Sequence, residues 1–149
     1  MGELSENDRK KQELKSYQKH KRREAEILEE IQRLRMDKMF PSLAADGMPR
    51  GSSQSDLSNY AALIDEQIEL LKEERLERAK AYTRIENAIR KMTDDDEQKV
   101  LRLRYIRGLK WEEVAVEMNI SWQHTHKIHA RALKNFNLSE KNEIGDIMR

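Results

Sequence analysis

From Leu57 to Met92 the chain places residues of one series every seven positions, Leu57, Ile64, Leu71, Arg78, Ile85 and Met92, with Ala61, Ile68, Arg75, Tyr82 and Ile89 interleaved between them. A strand would alternate every second residue, and a helix covering a globular core would carry a broader stripe. The alternating spacing therefore predicts one long helix with a narrow, coiled-coil type seam. Such a seam is not stable on a lone helix, so it must pack on the preceding helix as a hairpin, on a second copy of the chain, or on both. Arg75 and Arg78 interrupt it at the centre, where they weaken packing and can fix register or leave a local opening. Leu57, Ile64, Ile68, Leu71, Tyr82, Ile85 and Ile89 are the residues expected to carry self-association.

The segment before this helix is its first available partner. Residues 10–39 contain neither Gly nor Pro and are rich in strong helix formers, with a short apolar stripe of Ile27, Ile31 and Leu34. Pro41, Gly47, Pro49, Gly51, Ser52 and Ser53 then end the pattern, and Ser55 or Asp56 suits a cap for the helix that follows. The expected organisation is a charged N-terminal helix at 1–40, a linker at 41–55, the coiled-coil helix at 56–92, a small domain at 93–138 and a tail at 139–149. The fold class is all-α: an N-terminal helical hairpin or coiled coil followed by a small helical domain.

Charge and composition limit what such a chain can do. With 37% hydrophobic and 38% charged residues among 149 and a mean hydropathy of −0.98, there is apolar material for one small core and for narrow seams, not for a large pocketed domain. There is no cysteine, which removes disulfides, thiolate nucleophiles and Cys-ligated zinc. No apolar run is long enough for a membrane span and no signal peptide is expected, so the reading is a cytoplasmic protein without membrane association. No Ser or His stands in a nucleophile setting and there is no Gly-rich phosphate loop, so no catalytic residue and no cofactor is expected and the chain is read as a non-enzyme.

The net charge of +1 hides a gradient: residues 56–97 hold 12 acidic and 7 basic side chains, whereas 98–149 hold 10 basic and 6 acidic. The basic end is where a polyanion would bind. A second basic cluster, Arg9, Lys10, Lys11, Lys15, Lys19, Lys21, Arg22 and Arg23, is read as a solvated helix face in preference to a second DNA contact.

The C-terminal third gives the chemistry. Asp94, Asp95, Asp96 and Glu97 suit a helix N-terminus, Val100, Leu101, Tyr105 and Ile106 supply its apolar face, and Gly108 suits a left-handed stop. A short helix follows over WEEVAVEM, with Val114 and Met118 inward. Asn119 can take a positive φ, Ile120 plugs the core, and Ser121 can cap a last helix running to about Phe136. Two short helices joined by a tight turn, the second one basic, form a helix-turn-helix.

The stretch VLRLRYIRGLKWEEVAVEMNISWQHTHKIHARAL resembles region 4 of bacterial sigma factors: an apolar pair, LRY, a Gly, an acidic pair before an apolar-Ala step, an Ile-Ser turn and a helix ending in Ala-Leu. Nothing upstream resembles the other sigma segments. With its charged helical front, its Pro/Gly/Ser linker and SDLSNYAALIDEQIELL, the layout is similar to small phage proteins of the ArpU-like families. That resemblance implies a transcription regulator of phage or prophage genes, late or lytic ones, in a bacterial host, with double-stranded DNA as partner and RNA polymerase as a second candidate partner. Two positions depart from the region 4 pattern: Lys110 stands where a Ser or Thr cap is usual, and Thr125 replaces an inward aliphatic residue.

A recognition helix lies in the major groove with its N-terminal turns nearest the base edges. Ile128, Ala132, Leu133 and Thr125 form the inner side. Trp122, Gln123, His126 and Lys127 are left for base reading, the positions that read bases in the domains this one resembles. Gln123 can pair with adenine, Lys127 can donate to guanine, and His126 can donate to a purine acceptor. Lys110, His124, Arg131 and Lys134 lie toward the flanks and suit phosphates. Of His124, His126 and His129 only the last two share a helix face, so no metal site is expected, and all three are read as surface or DNA-facing. Trp111 is read as packing, and Trp122 as exposed, with DNA contact or a neighbouring element as its alternatives. Two other functions are compatible with this layout: a DNA-packaging adaptor of small-terminase type, and an interaction protein that uses the coiled coil alone.

Overall fold

A computed structural model of the protein describes residues 4–39 and 54–138. Among the described residues five α-helices follow one another: α1 (Glu6–Met39), α2 (Gln54–Arg90), α3 (Asp95–Leu101), α4 (Trp111–Met118) and α5 (Trp122–Asn135), with a π-helical turn at Arg102–Ile106 continuing α3. The class is all-α as expected, and there is no strand among the described residues. α2 begins at Gln54, so Ser55 and Asp56 stand inside the helix and not before it as caps. The rest of the expected linker and the expected tail at 139–149 lie outside the described residues.

The chain forms two compact units that cut across this linear order, one made of His20–Glu77 and the other of the residues through Lys19 together with those from Arg78 onward. In the first, α1 and α2 run antiparallel and are tied by ion pairs. Glu24 accepts from Arg75 Nε at 3.0 Å, and His20 Nδ1 lies 2.8 Å from Glu74. Arg75, an interruption in the seam by periodicity, is thus a cross-link to the preceding helix. Ile31 and Leu71 are buried in this unit, and Ile64 and Ile68 are half-buried. Leu57, Leu63 and Leu70 are exposed.

The second unit has two adjoining apolar clusters. One gathers Leu14 of α1, Ile85, Ala88 and Ile89 of α2, Leu101 and Tyr105, and Ala132, Leu133 and Phe136 at the end of α5. The other gathers Val100, Leu103, Val114 and Ile128, with Leu109, Trp111, Met118 and Ile120 at its edge. Ile85 and Ile89, expected at a seam between chains, are fully buried within this one. The start of α1 and the helix-turn-helix cover them from both sides. Tyr82 is exposed at its edge but its ring meets Tyr17 of α1, centroids 5.7 Å apart. Burying a side chain the size of Leu14 is worth about 1.5 to 3 kcal/mol, so the start of α1 is part of this core and not a free tail.

Charged side chains fix the frame around these clusters. Glu13 accepts from Arg84 Nε at 2.7 Å, and Glu86 takes two guanidinium nitrogens of Arg102 at 2.7 and 3.0 Å. Asp94 caps α3 by accepting the Glu97 N–H at 2.9 Å. Glu97, buried in the first turn, accepts from Asn135 Nδ2 at 2.8 Å, which locks the start of α3 to the end of α5. At the other end of this segment the π turn closes with Arg107 N–H on the Arg102 carbonyl (2.9 Å), and Gly108 takes φ +71°. That is the left-handed stop expected of it.

Lys10 departs from the sequence expectation. Read as one of a solvated basic cluster, it is buried, and its Nζ donates to the Leu133 carbonyl at 2.7 Å and lies 3.4 Å from that of Lys134. The last carbonyls of a helix have no partner within it and carry its negative dipole end, so a cation brought from elsewhere is a natural cap.

Candidate nucleic-acid interface

The turn before the recognition helix is built residue by residue from local chemistry. α4 ends on Asn119 at φ 56°, ψ 45°, with its N–H on the Val116 carbonyl and the Ile120 N–H on that of Ala115, both at 3.1 Å. This is a Schellman closure made by a non-Gly residue that tolerates the conformation well. Ile120 turns back against the apolar edge. Ser121 then caps α5, its Oγ accepting the His124 N–H at 3.0 Å. Thr125 is fully buried, and the hydroxyl that distinguishes it from an aliphatic residue donates to the Ser121 carbonyl at 2.8 Å. A buried hydroxyl with that partner carries no unsatisfied-donor penalty, so the departure from the region 4 pattern is accommodated.

Lys110 has no acceptor to offer α4, and its side chain makes no cap. The reciprocal half of the cap is present: Glu113 accepts the Lys110 backbone N–H at 3.1 Å. Glu112, Glu113 and Glu117 make the outer face of α4 acidic, and Val116 stands 80% exposed among them.

The outer face of α5 carries most of the expected contact residues. Trp122, Gln123, His124, Lys127, Arg131 and Lys134 are all exposed, Gln123 and Lys127 one turn apart near the helix start. His126 is placed otherwise. It is half-buried, with Trp111 and Trp122 on it at centroid distances of 4.7 and 4.1 Å, and its Nε2 is enclosed without a hydrogen-bond partner. That ring seats the exposed Trp122 on the domain, and its enclosed nitrogen does not reach outward to a base edge.

His129 corrects the sequence reading more sharply. Expected at the surface, it is buried, with Nε2 2.8 Å from the Tyr105 hydroxyl and its ring 4.5 Å from that of Trp111. Burial, with the positive charges of Lys11, His126 and Arg104 added to it, lowers its pKa from 6.5 to about 4. Burial also pushes the Tyr105 hydroxyl up to about 12 against the opposing effect of Arg104. Both partners are therefore neutral near pH 7. Trp111, read as packing, does pack there, and the Arg104 guanidinium lies over its ring at 4.7 Å while donating to the Leu109 carbonyl at 2.9 Å. Arg104 enters the sequence reading only as part of the LRY pattern and Lys10 only as a member of the second basic cluster. Neither carries a local signal of the partner it has here.

Taken together, the geometry is a rigid capped helix with a polar and aromatic outer face and no carboxylate on that face. Residues 88–136 match the family model for Sigma-70, region 4. The match begins in the last turn of α2 and ends at Phe136, a residue of the core, so this part of the chain is a helix-turn-helix similar to region 4. No curated protein and no solved structure matches the chain. Outside the region 4-like segment, the unit's core is completed by Leu14 and Ile85, and the end of α5 by Lys10. No helix among the described residues is long and apolar enough to cross a membrane.

Proposed function

We propose that the protein is a sequence-specific, double-stranded DNA-binding transcription regulator of phage or prophage genes, late or lytic ones, acting by binding and not by catalysis. The observation that carries the DNA reading is the exposed pair Gln123 and Lys127 on the first turns of a Ser121-capped helix in a domain of the region 4 type. Gln can read adenine through two hydrogen bonds and Lys can donate to guanine. His124, Arg131 and Lys134 on the outer face of α5, with Lys110 ahead of α4, supply phosphate contacts, and Trp122 offers a large apolar contact beside them. The phage setting rests on the resemblance of the whole layout to ArpU-like proteins. A contact with RNA polymerase is supported by the opposite character of α4, where Val116 stands out among Glu112, Glu113 and Glu117, a surface suited to protein and unsuited to phosphates. Self-association is supported by the exposed leucines of the His20–Glu77 unit.

The decisive experiment is mapping of bound DNA across the host genome, followed by binding to the recovered site. Sites at promoters are expected; a single site at a packaging origin would favour the adaptor reading. Gln123→Ala and Lys127→Ala are each expected to cost about 1 to 3 kcal/mol on the recovered site and little on random DNA. Variants that bind the site as tightly as the parent would overturn the assignment.

A further inference from the structure

The start of α1 is held against the helix-turn-helix at both ends. Lys10 is bonded to the carbonyl of Leu133 at 2.7 Å, and two turns later Gln18 Nε2 donates to that of Ile106 at 2.7 Å. The Gln18 amide also lies against Gly108, where a Cβ would stand 3.2 Å from it. The segment from Lys10 to Gln18 therefore runs from the end of the recognition helix to the turn that precedes α4. Its orientation is fixed as well, because Leu14 is fully buried in the core and Glu13 is turned to Arg84.

With Lys10 and Leu14 inward, helical geometry puts Lys11, Lys15 and Gln18 on one face, at spacings of four and three. That face is the one Gln18 presents to the turn at Ile106 and Gly108. Lys11 is half-buried, and its charge is among those felt by His129 of α5, while Lys15 is exposed. Arg107 and Lys110, both exposed, stand on either side of Gly108 and Leu109. The side chains of Lys11, Lys15, Arg107 and Lys110 take part in no ion pair among the described residues. A strip of unneutralised cations thus borders the recognition helix on the side of His126 and His129, and half of it comes from outside the region 4-like segment.

We infer that Lys11 and Lys15 are DNA phosphate contacts, and that the start of α1 widens the footprint of the helix-turn-helix along one DNA strand. The inference rests on the DNA-binding reading above. Cations held by a rigid scaffold beside a groove-reading helix, with no carboxylate paired to them, are placed to displace counterions from a duplex. Such contacts add affinity without sequence preference.

The test is the salt dependence of binding by the full chain to a duplex bearing its mapped site and to random duplex DNA. Each phosphate contact removed lowers the slope of log K against log salt by about 0.9. Lys11→Ala with Lys15→Ala is expected to lower it by roughly 1 to 2, equally on both duplexes, and Lys15→Ala alone, at an exposed position, by up to about 1. Arg9→Ala is the control, since it removes the same charge from the opposite side of α1 and is expected to leave the slope unchanged. A parent that binds no duplex at low salt sinks the proposed function itself. A parent that binds, with the Lys15 and double variants keeping its slope or Arg9→Ala lowering it equally, overturns this inference alone.

Discussion

The buried corner of Tyr105, Trp111 and His129 shows how one residue links fold and solution behaviour. His129 is held neutral by burial first and by neighbouring positive charge second, with a folded pKa of about 4 against an ordinary 6.5. Between those two values the unfolded chain binds a proton that the folded chain refuses, so stability rises with pH across the window and is lost as pH falls through it. The full effect is present above about 6.5, declines toward about 4 and levels off below that, with a depth of up to roughly 3 kcal/mol. Tyr105, raised from 10.0 to about 12, works in the other direction. The unfolded phenol ionises first, so its contribution is whole below pH 10.0 and is lost as pH rises toward about 12. Thermal melts from pH 7.5 to 4 are expected to show the acid loss, and His129→Gln, which can keep a hydrogen bond to Tyr105 without titrating, is expected to flatten it. A His129→Gln variant with the parent's full acid dependence would place the titration elsewhere.

At the scale of elements, α5 is closed at its start from within and at its end from a distance. Ser121 caps the first turn, and Lys10, 123 positions earlier than Leu133 in the chain, satisfies the last. Lys10→Met keeps most of the aliphatic stem and removes the ammonium, leaving a buried carbonyl without its charged donor. The expected cost is about 1.5 to 3 kcal/mol, seen as a lower denaturation midpoint and faster amide exchange in the last turns of α5. An unchanged midpoint and unchanged exchange would mean that water replaces Lys10 at no cost. The contrast between the two caps also explains what was legible in advance. Ser121, Asn119, Gly108 and the Asp94 cap act within a few residues of themselves, so the turn chemistry of the helix-turn-helix could be read directly from residue type. Lys10 and Leu14 act on partners more than 70 positions away, and a Lys in a basic run looks the same whether it meets water or a carbonyl. His129 escapes the sequence reading for a related reason: the face it shares with His126 is outward on an isolated helix but is covered here by Tyr105 and Trp111. The heptad spacing predicts the long helix found at Gln54–Arg90, yet periodicity carries no information on whether apolar positions are covered within the chain or between chains.

For the molecule as a whole, that last ambiguity becomes a test of assembly. The seam divides by unit: Ile85 and Ile89 are enclosed at 0% exposure, whereas in His20–Glu77 the seam residue Leu57 is 40% exposed, and Leu63 and Leu70, which lie beside the seam, are 47% and 41% exposed. Leu63 and Leu70 are one heptad apart on the same side of α2, the spacing that two supercoiled helices share. A pair of antiparallel helices with few buried apolar residues gains from covering that side, and a second copy presents the matching stripe by symmetry. Leu63→Ser with Leu70→Ser is therefore expected to weaken self-association while leaving the helix-turn-helix folded. If each leucine contributes about 1.5 kcal/mol on burial, the dissociation constant rises by about a hundredfold or more. Ile85→Ser or Ile89→Ser should do something different, lowering the melting temperature of the DNA-binding unit by opening its core, with a cost of several kcal/mol from a buried unpaired hydroxyl and a cavity, on the order of 3. Sedimentation velocity across a concentration series, with far-UV circular dichroism on the same samples, separates the two outcomes. Dissociation by the isoleucine variants without loss of helix would return the intermolecular seam to the end of α2, and a parent that stays monomeric at the highest concentration would leave α1 as the only partner the seam has.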